Sequence, residues 1–98
     1  MENRWHCIEA TLAHQGAGKF YHIPIYVWVK DPIKAIDKYK YMRGLKKRNV
    51  PPVRPIVIDE ERKKLEQMIL EDGLSLQEAK EKWYTTAEEY KWWKRKRR

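Results

Sequence analysis

Two stretches of this chain are cationic and contain no acid. Seven bases, Lys38, Lys40, Arg43, Lys46, Lys47, Arg48 and Arg54, fall between Lys38 and Ile58, and six more fall between Lys91 and Arg98. Such blocks suit phosphate neutralisation, in which ammonium and guanidinium groups displace the counterions condensed on a polyanion. In the first block Tyr39 and Tyr41 are interleaved with the bases, and Pro51, Pro52 and Pro55 stiffen the backbone that follows. Flat rings among cations suit single-stranded or structured RNA, whose bases stack on aromatic faces while Lys and Arg follow the phosphates. There is also a plainer reading, a solvated face in the middle and a solubilising tail at the end. Between Asp59 and Glu89 stand ten acids against five bases, enough to neutralise part of either block within a monomer.

Other chemistries find less support. Gly16-Ala17-Gly18-Lys19 has the look of a phosphate loop, but the wider spacing is missing and Phe20 replaces the metal-holding Ser or Thr. His6, Cys7, His14 and His22 follow no zinc spacing, and adjacent His6 and Cys7 point to opposite faces of a strand. No metal or other cofactor is expected. Ser75, Thr85 and Thr86 read as caps or turn residues, and no nucleophile stands with a base and an orienting group. The expectation is a protein that is not an enzyme.

The chain has 98 residues and a formal charge of +8. That length suits one small domain with a thin core, supplemented by five Trp and six Tyr. A lone cysteine, Cys7, forms no internal disulfide and fits a reducing compartment. No apolar run approaches the roughly 18–20 residues of a membrane span, and the first residues lack the layout of a signal peptide. A soluble, cytoplasmic protein is expected.

The elements that must position these groups follow from periodicity. Trp5 to about Ala13 reads as a strand, with Ile8, Ala10 and Leu12 alternating against Cys7, Glu9 and Thr11. Gln15 to Lys19 forms the turn. Phe20–Lys30 is a second strand, with Tyr21, Ile23, Ile25, Val27 and Val29 on a core face and His22, Pro24, Tyr26 and Trp28 on the other. Tyr26 and Trp28 either join a stacking platform or pack beneath a helix or at a dimer interface. Pro24 has no N–H to donate, which points to an edge or a bulge there. Asp31-Pro32 opens a helix expected to reach Arg43 and stop at Gly44, with Ile33, Ala35, Ile36, Tyr39 and Met42 inward. Three prolines keep Leu45–Ile58 extended, ending in a short strand over Val53–Ile58. Asp59-Glu60-Glu61 then places acids at the start of a helix expected over Glu60–Glu71, which buries Leu65, Met68 and Ile69 and stops at Gly73.

Two capping boxes follow, Ser75 with Glu78 and Thr86 with Glu89, and predict helices over Leu76–Trp83 and Ala87–Lys96. The same residues, spaced 3-4-3-4-3 from Leu76 through Ala79, Trp83, Thr86 and Tyr90 to Trp93, also suit one continuous helix. With Gly73, Leu74-Ser75-Leu76-Gln77-Glu78-Ala79, Trp83, Thr86, Trp93 and the basic finish, this part resembles the helix-turn-helix modules of transposases, resolvases and related small DNA-binding proteins. The resemblance implies that Thr86 and Lys91 face a groove of duplex DNA while Lys94, Arg95 and Arg98 hold phosphates.

The sequence thus predicts a small α+β domain. Residues 1–58 form an antiparallel β-hairpin packed on a helix, with a proline-rich basic connector, and 59–98 form a helical, helix-turn-helix-like module. The expected function is non-enzymatic nucleic-acid binding, duplex DNA slightly ahead of RNA, through Arg43, Lys46, Lys47, Arg48, Arg54, Thr86, Lys91, Lys94, Arg95 and Arg98. The alternatives are an RNA-binding, ribosome-associated protein and a homodimeric interaction or adaptor module built on exposed aromatics and a free strand edge.

Overall fold

The alternating runs near the N-terminus form the centre of a four-stranded antiparallel sheet. In the computed structural model, which describes residues 2–12, 22–47 and 49–90 (without the side chain of Glu89), β1 (Arg4–Thr11) pairs with β2 (His22–Val29). Arg4 faces Val29 at one end and Thr11 faces His22 at the other. The expected turn over Gln15–Lys19 lies outside the described residues. β3 (Val53–Pro55) flanks β1 and β4 (Tyr84–Thr85) flanks β2, giving the order β3-β1-β2-β4. Three helices complete the α+β fold: α1 (Pro32–Lys40), α2 (Asp59–Glu71) and α3 (Leu76–Glu81). Among the described residues no helix is long and apolar enough to cross a membrane.

Period-2 alternation sends successive side chains to opposite sheet faces, and here both faces are covered. Ile8, Ala10, Leu12, Ile23, Ile25 and Val27 pack with Ala35, Tyr39 and Met42 around α1. On the opposite side Trp5 and Cys7 pack with Leu65 and Ile69 of α2, Ala79 of α3, and Ile56, Leu74 and Tyr84. Tyr26 and Trp28 therefore lie beneath helices and form no open platform. Trp28 meets Trp5 edge-on at 5.4 Å, Tyr26 stacks on Tyr84 at 6.3 Å, and the Lys80 ammonium sits 4.2 Å from the Trp28 ring centroid. A cation over an indole face is attracted by the ring quadrupole, so Lys80 serves the fold.

Local signals set the helix ends. The Asp31 carboxylate accepts from the Lys34 N–H at 2.9 Å, and Pro32 occupies the first turn. α1 stops at Lys40, a few residues earlier than expected, and Gly44 (φ +78°) reverses the chain so that Leu45 bridges to Leu12. Ile33, expected inward, is 73% exposed, because two residues before Ala35 it falls on the far side of the helix from the buried Ala35–Tyr39 face. α2 carries Asp59, Glu60 and Glu61 in its first turn, and Gly73 (φ +81°) ends the segment. Ser75 Oγ accepts from the Glu78 N–H at 3.0 Å, the first expected cap.

Beyond α3 the chain departs from the expected helices. α3 ends at Glu81, Tyr84 and Thr85 pair with Tyr26 and Ile25 as β4, and Glu88–Tyr90 is a single 3-10 turn. A strand therefore interrupts both the expected turn and the continuous-helix alternative. The rest of the expected Ala87–Lys96 helix lies outside the described residues. Aromatic Tyr84 and β-branched Thr85 suit a strand, and Pro24 supplies the local reason for it. The Thr85 hydroxyl donates to the Pro24 carbonyl at 2.7 Å, so Pro24 turns its backbone polar groups towards β4, just past the last paired residue, Ile25. The missing N–H thus falls where β2 has no strand partner, and the pairing with β1 is intact. Thr85 Oγ also accepts from the Ala87 N–H at 3.2 Å, in the capping role expected of Thr86.

Candidate nucleic-acid interface

The site is built where α1 ends. Its last carbonyls lack helical partners and form the negative end of the helix dipole, which attracts cations. Lys47 answers this: its ammonium donates to the Met42 carbonyl and to the Lys40 carbonyl (3.4 Å), and lies 5.3 Å from the Tyr39 ring centroid. The Tyr39 hydroxyl donates to the Lys46 carbonyl, and the Lys46 N–H donates to Thr11 at 2.8 Å. These bonds fix the backbone of the basic loop against α1 and the end of β1. Its side chains stay outside: Lys40, Arg43, Lys46 and Lys47 are all exposed. Among the described residues, neither Lys40 nor Arg43 pairs with a carboxylate.

The segment after β4 comes to the same place. Leaving the α2–α3 side, it passes the β2 edge, and Trp83 packs against both cores on the way. The Tyr90 ring stacks on Trp83 at 5.2 Å with a 23° interplanar angle, and its hydroxyl donates to the Arg43 carbonyl. A Cβ added to Gly44 would lie 3.4 Å from the edge of the Tyr90 ring. Burial, with a smaller contribution from Tyr39, pushes the Tyr90 hydroxyl up to about 12, so it remains a donor at neutral pH. Nearby, the Lys38 ammonium donates to the Lys82 carbonyl at 3.3 Å, and burial lowers its pKa. The residue preceding Lys91–Arg98 is therefore held against the Arg43–Gly44 turn of the first basic block.

The other expected site residues are distributed differently. Arg54 belongs elsewhere: it pairs with Cys7 across the sheet and grips Glu61 at 2.7 and 3.2 Å with both guanidinium nitrogens. The Arg54 hydrogen bonds, then its charge, hold the Glu61 carboxyl below its ordinary value. Arg54 thus differs from the other expected phosphate contacts in that its charge is met by the protein's own carboxylate. Thr86 is half-buried at the end of β4. Arg48, Lys91, Lys94, Arg95 and Arg98 lie outside the described residues. Of the metal-ligand types considered, buried His6 places Nδ1 3.1 Å from the Arg4 carbonyl, and His22 Nδ1 lies 3.1 Å from the Thr11 hydroxyl. His14 lies outside the described residues. Burial raises the pKa of the Cys7 thiol, with the Arg54 charge opposing, which leaves it a poor nucleophile.

Sequence reasoning missed Tyr90. Its spacing from Trp83 reads as a helix seam; the rings do meet, but across a strand and a 3-10 turn. No protein-family model, curated protein or solved structure matches the chain.

Proposed function

We propose that this protein binds nucleic acid without catalysing a reaction, using the end of α1, the Arg43–Lys47 loop and the basic run that follows Tyr90. One observation supports the reading: Tyr90, the residue before the second cationic block, is anchored on Arg43 and Gly44 of the first. Lys40, Arg43, Lys46 and Lys47 neutralise phosphates there, joined by Arg48, Lys91, Lys94, Arg95 and Arg98 from the sequence. Binding is driven largely by counterion release and steered by the net charge of +8. A reducing, cytoplasmic setting fits the lone, buried Cys7.

The preference for duplex DNA depends on a reading helix that begins near Ala87. Residues 84–90 are a strand and one 3-10 turn, so among the described residues no helix stands where that reading needs one. Phosphate contact, which every polynucleotide offers, is what the geometry favours. The homodimeric adaptor needed Tyr26, Trp28 and an open edge at Pro24. The two rings pack with the second core and the Pro24 carbonyl is bonded to Thr85.

The test is fluorescence anisotropy with random duplex DNA and RNA across a salt series, alongside light scattering. Log affinity should fall linearly with log salt, by roughly 0.7–0.9 per phosphate neutralised. Replacing Lys94, Arg95, Lys96, Arg97 and Arg98 by Ala should weaken all sequences alike. A tight dimer indifferent to both polymers would end the proposal in favour of the adaptor, whereas co-sedimentation with ribosomal particles would assign it to RNA.

A further inference from the structure

We propose that the ligand at this surface is a single-stranded polynucleotide, one of whose bases stacks on Tyr41; this rests on the nucleic-acid reading above. The other aromatic residues among the described ones are committed. Tyr39 is buried against the sheet, Tyr26 and Trp28 pack with the second core, and Trp83 and Tyr90 stack on each other. Tyr41 differs from all of these. Its backbone closes α1, with the N–H bonded to the Lys38 carbonyl at 3.2 Å, while its side chain is 89% exposed. The ring therefore contributes no packing to the fold, yet it stands on backbone fixed by a helix end.

Its surroundings select the partner. Lys40 precedes it, Arg43 follows two residues later, and the Lys47 ammonium reaches back to the carbonyls of Lys40 and Met42 on either side of it. An exposed ring flanked along the chain by exposed cations matches a ligand that presents a flat apolar face together with phosphates. Duplex DNA and RNA hide base faces in their own stacks and offer only groove edges and backbone. A single strand exposes both features at once, and base–aromatic stacking tolerates any base because every base has a π-face. Asp37, one turn before Tyr41 on the same side of α1, carries the nearest opposing charge along that stripe. It limits how far phosphates can track towards the start of the helix, and directs the strand over the Arg43–Lys47 loop.

The test compares wild type with Tyr41→Ala, Tyr41→Phe and Arg43→Ala, measured by anisotropy on labelled oligo-rU, oligo-dT and a random duplex. Tyr41→Ala should weaken single-strand binding roughly 5- to 150-fold, the range seen for removal of a stacking ring. It should leave duplex affinity within about twofold and the salt slope unchanged, since no phosphate contact is lost. Tyr41→Phe should bind like wild type, and the substitutions are safe for folding because the side chain is outside the core. Arg43→Ala should lower the slope on every polymer. The rU and dT arms tell RNA from single-stranded DNA; a loss with either one supports stacking. Equal losses on strand and duplex, or no loss on either single strand, would overturn the stacking proposal alone. Wild type binding no polymer at low salt would remove the nucleic-acid reading, and this inference with it.

Discussion

The Tyr90 hydroxyl donates to the backbone carbonyl of Arg43, joining residues 47 positions apart and holding the residue that precedes the second basic block beside the first. Neither partner depends on the other's charge, so this contact can be removed without changing the number of cations. Tyr90→Ala should keep the sheet and α1, read by circular dichroism, while weakening binding of every polynucleotide by about three- to tenfold through lost effective concentration. Affinity equal to wild type would show that the two blocks act without this clamp.

Gly44 reverses the chain after α1 in the left-handed region, at φ +78°. A Cβ there would make ordinary contact with the Tyr90 ring at 3.4 Å, so the penalty comes from the backbone. Gly44→Ala should cost about 1–2 kcal/mol in urea unfolding, and Gly44→Asn less, because Asn tolerates this conformation. An Ala variant as stable as wild type would contradict the turn geometry.

Arg54 and Glu61 make a bidentate pair whose Arg side chain is 52% exposed, a setting in which ion pairs contribute about 1 kcal/mol or less. Since Arg54 is occupied by Glu61, Arg54→Ala should leave polynucleotide affinity unchanged, which separates it from Arg43. The hydrogen bonds from Arg54 depress the folded pKa of Glu61. The stabilisation is therefore present above the unfolded value, about 4.3, and is lost as pH falls through the lower folded value. The stability gap between wild type and Glu61→Gln should shrink between about pH 6 and pH 3. A gap that stays constant over that range would rule out the pair as its source.

How much of this was legible depended on how local each signal was. Asp31-Pro32, the acids at 59–61, Gly73 and the Ser75 cap act within one helical turn, and the structure places helix ends at or near them. The Ile23–Val29 alternation likewise marked the face that packs on α1. The fate of Tyr26 and Trp28 was not written locally, because their cover comes from helices far along the chain. β4 is two residues long, too short for a period to show, and its neighbours fit a helical spacing equally well. The candidate site divides the same way. Its charges are plain in the sequence, but the landing of Tyr90 on Arg43 and the diversion of Arg54 to Glu61 need the fold.

The join between β4 and β2 rests on Thr85, which is fully buried and hydrogen-bonded twice. Its hydroxyl donates to the Pro24 carbonyl, at the position where proline offers the sheet no N–H, and accepts from the Ala87 N–H. Thr85→Val keeps the side chain's shape and removes both bonds, leaving a part-buried carbonyl and a part-buried N–H unpaired. The expected cost is about 1–3 kcal/mol. Thr85→Ser keeps the hydroxyl and loses one methyl, for a cost nearer 0.8 kcal/mol. Denaturant midpoints give the order: wild type, then Ser, then Val. Because β4 leads the chain to Tyr90, the Val variant should also weaken polynucleotide binding, even though position 85 cannot touch a ligand. If Val proves as stable as Thr, packing alone holds β4 to β2, and the pairing of Thr85 with Pro24 explains nothing about why a strand forms there.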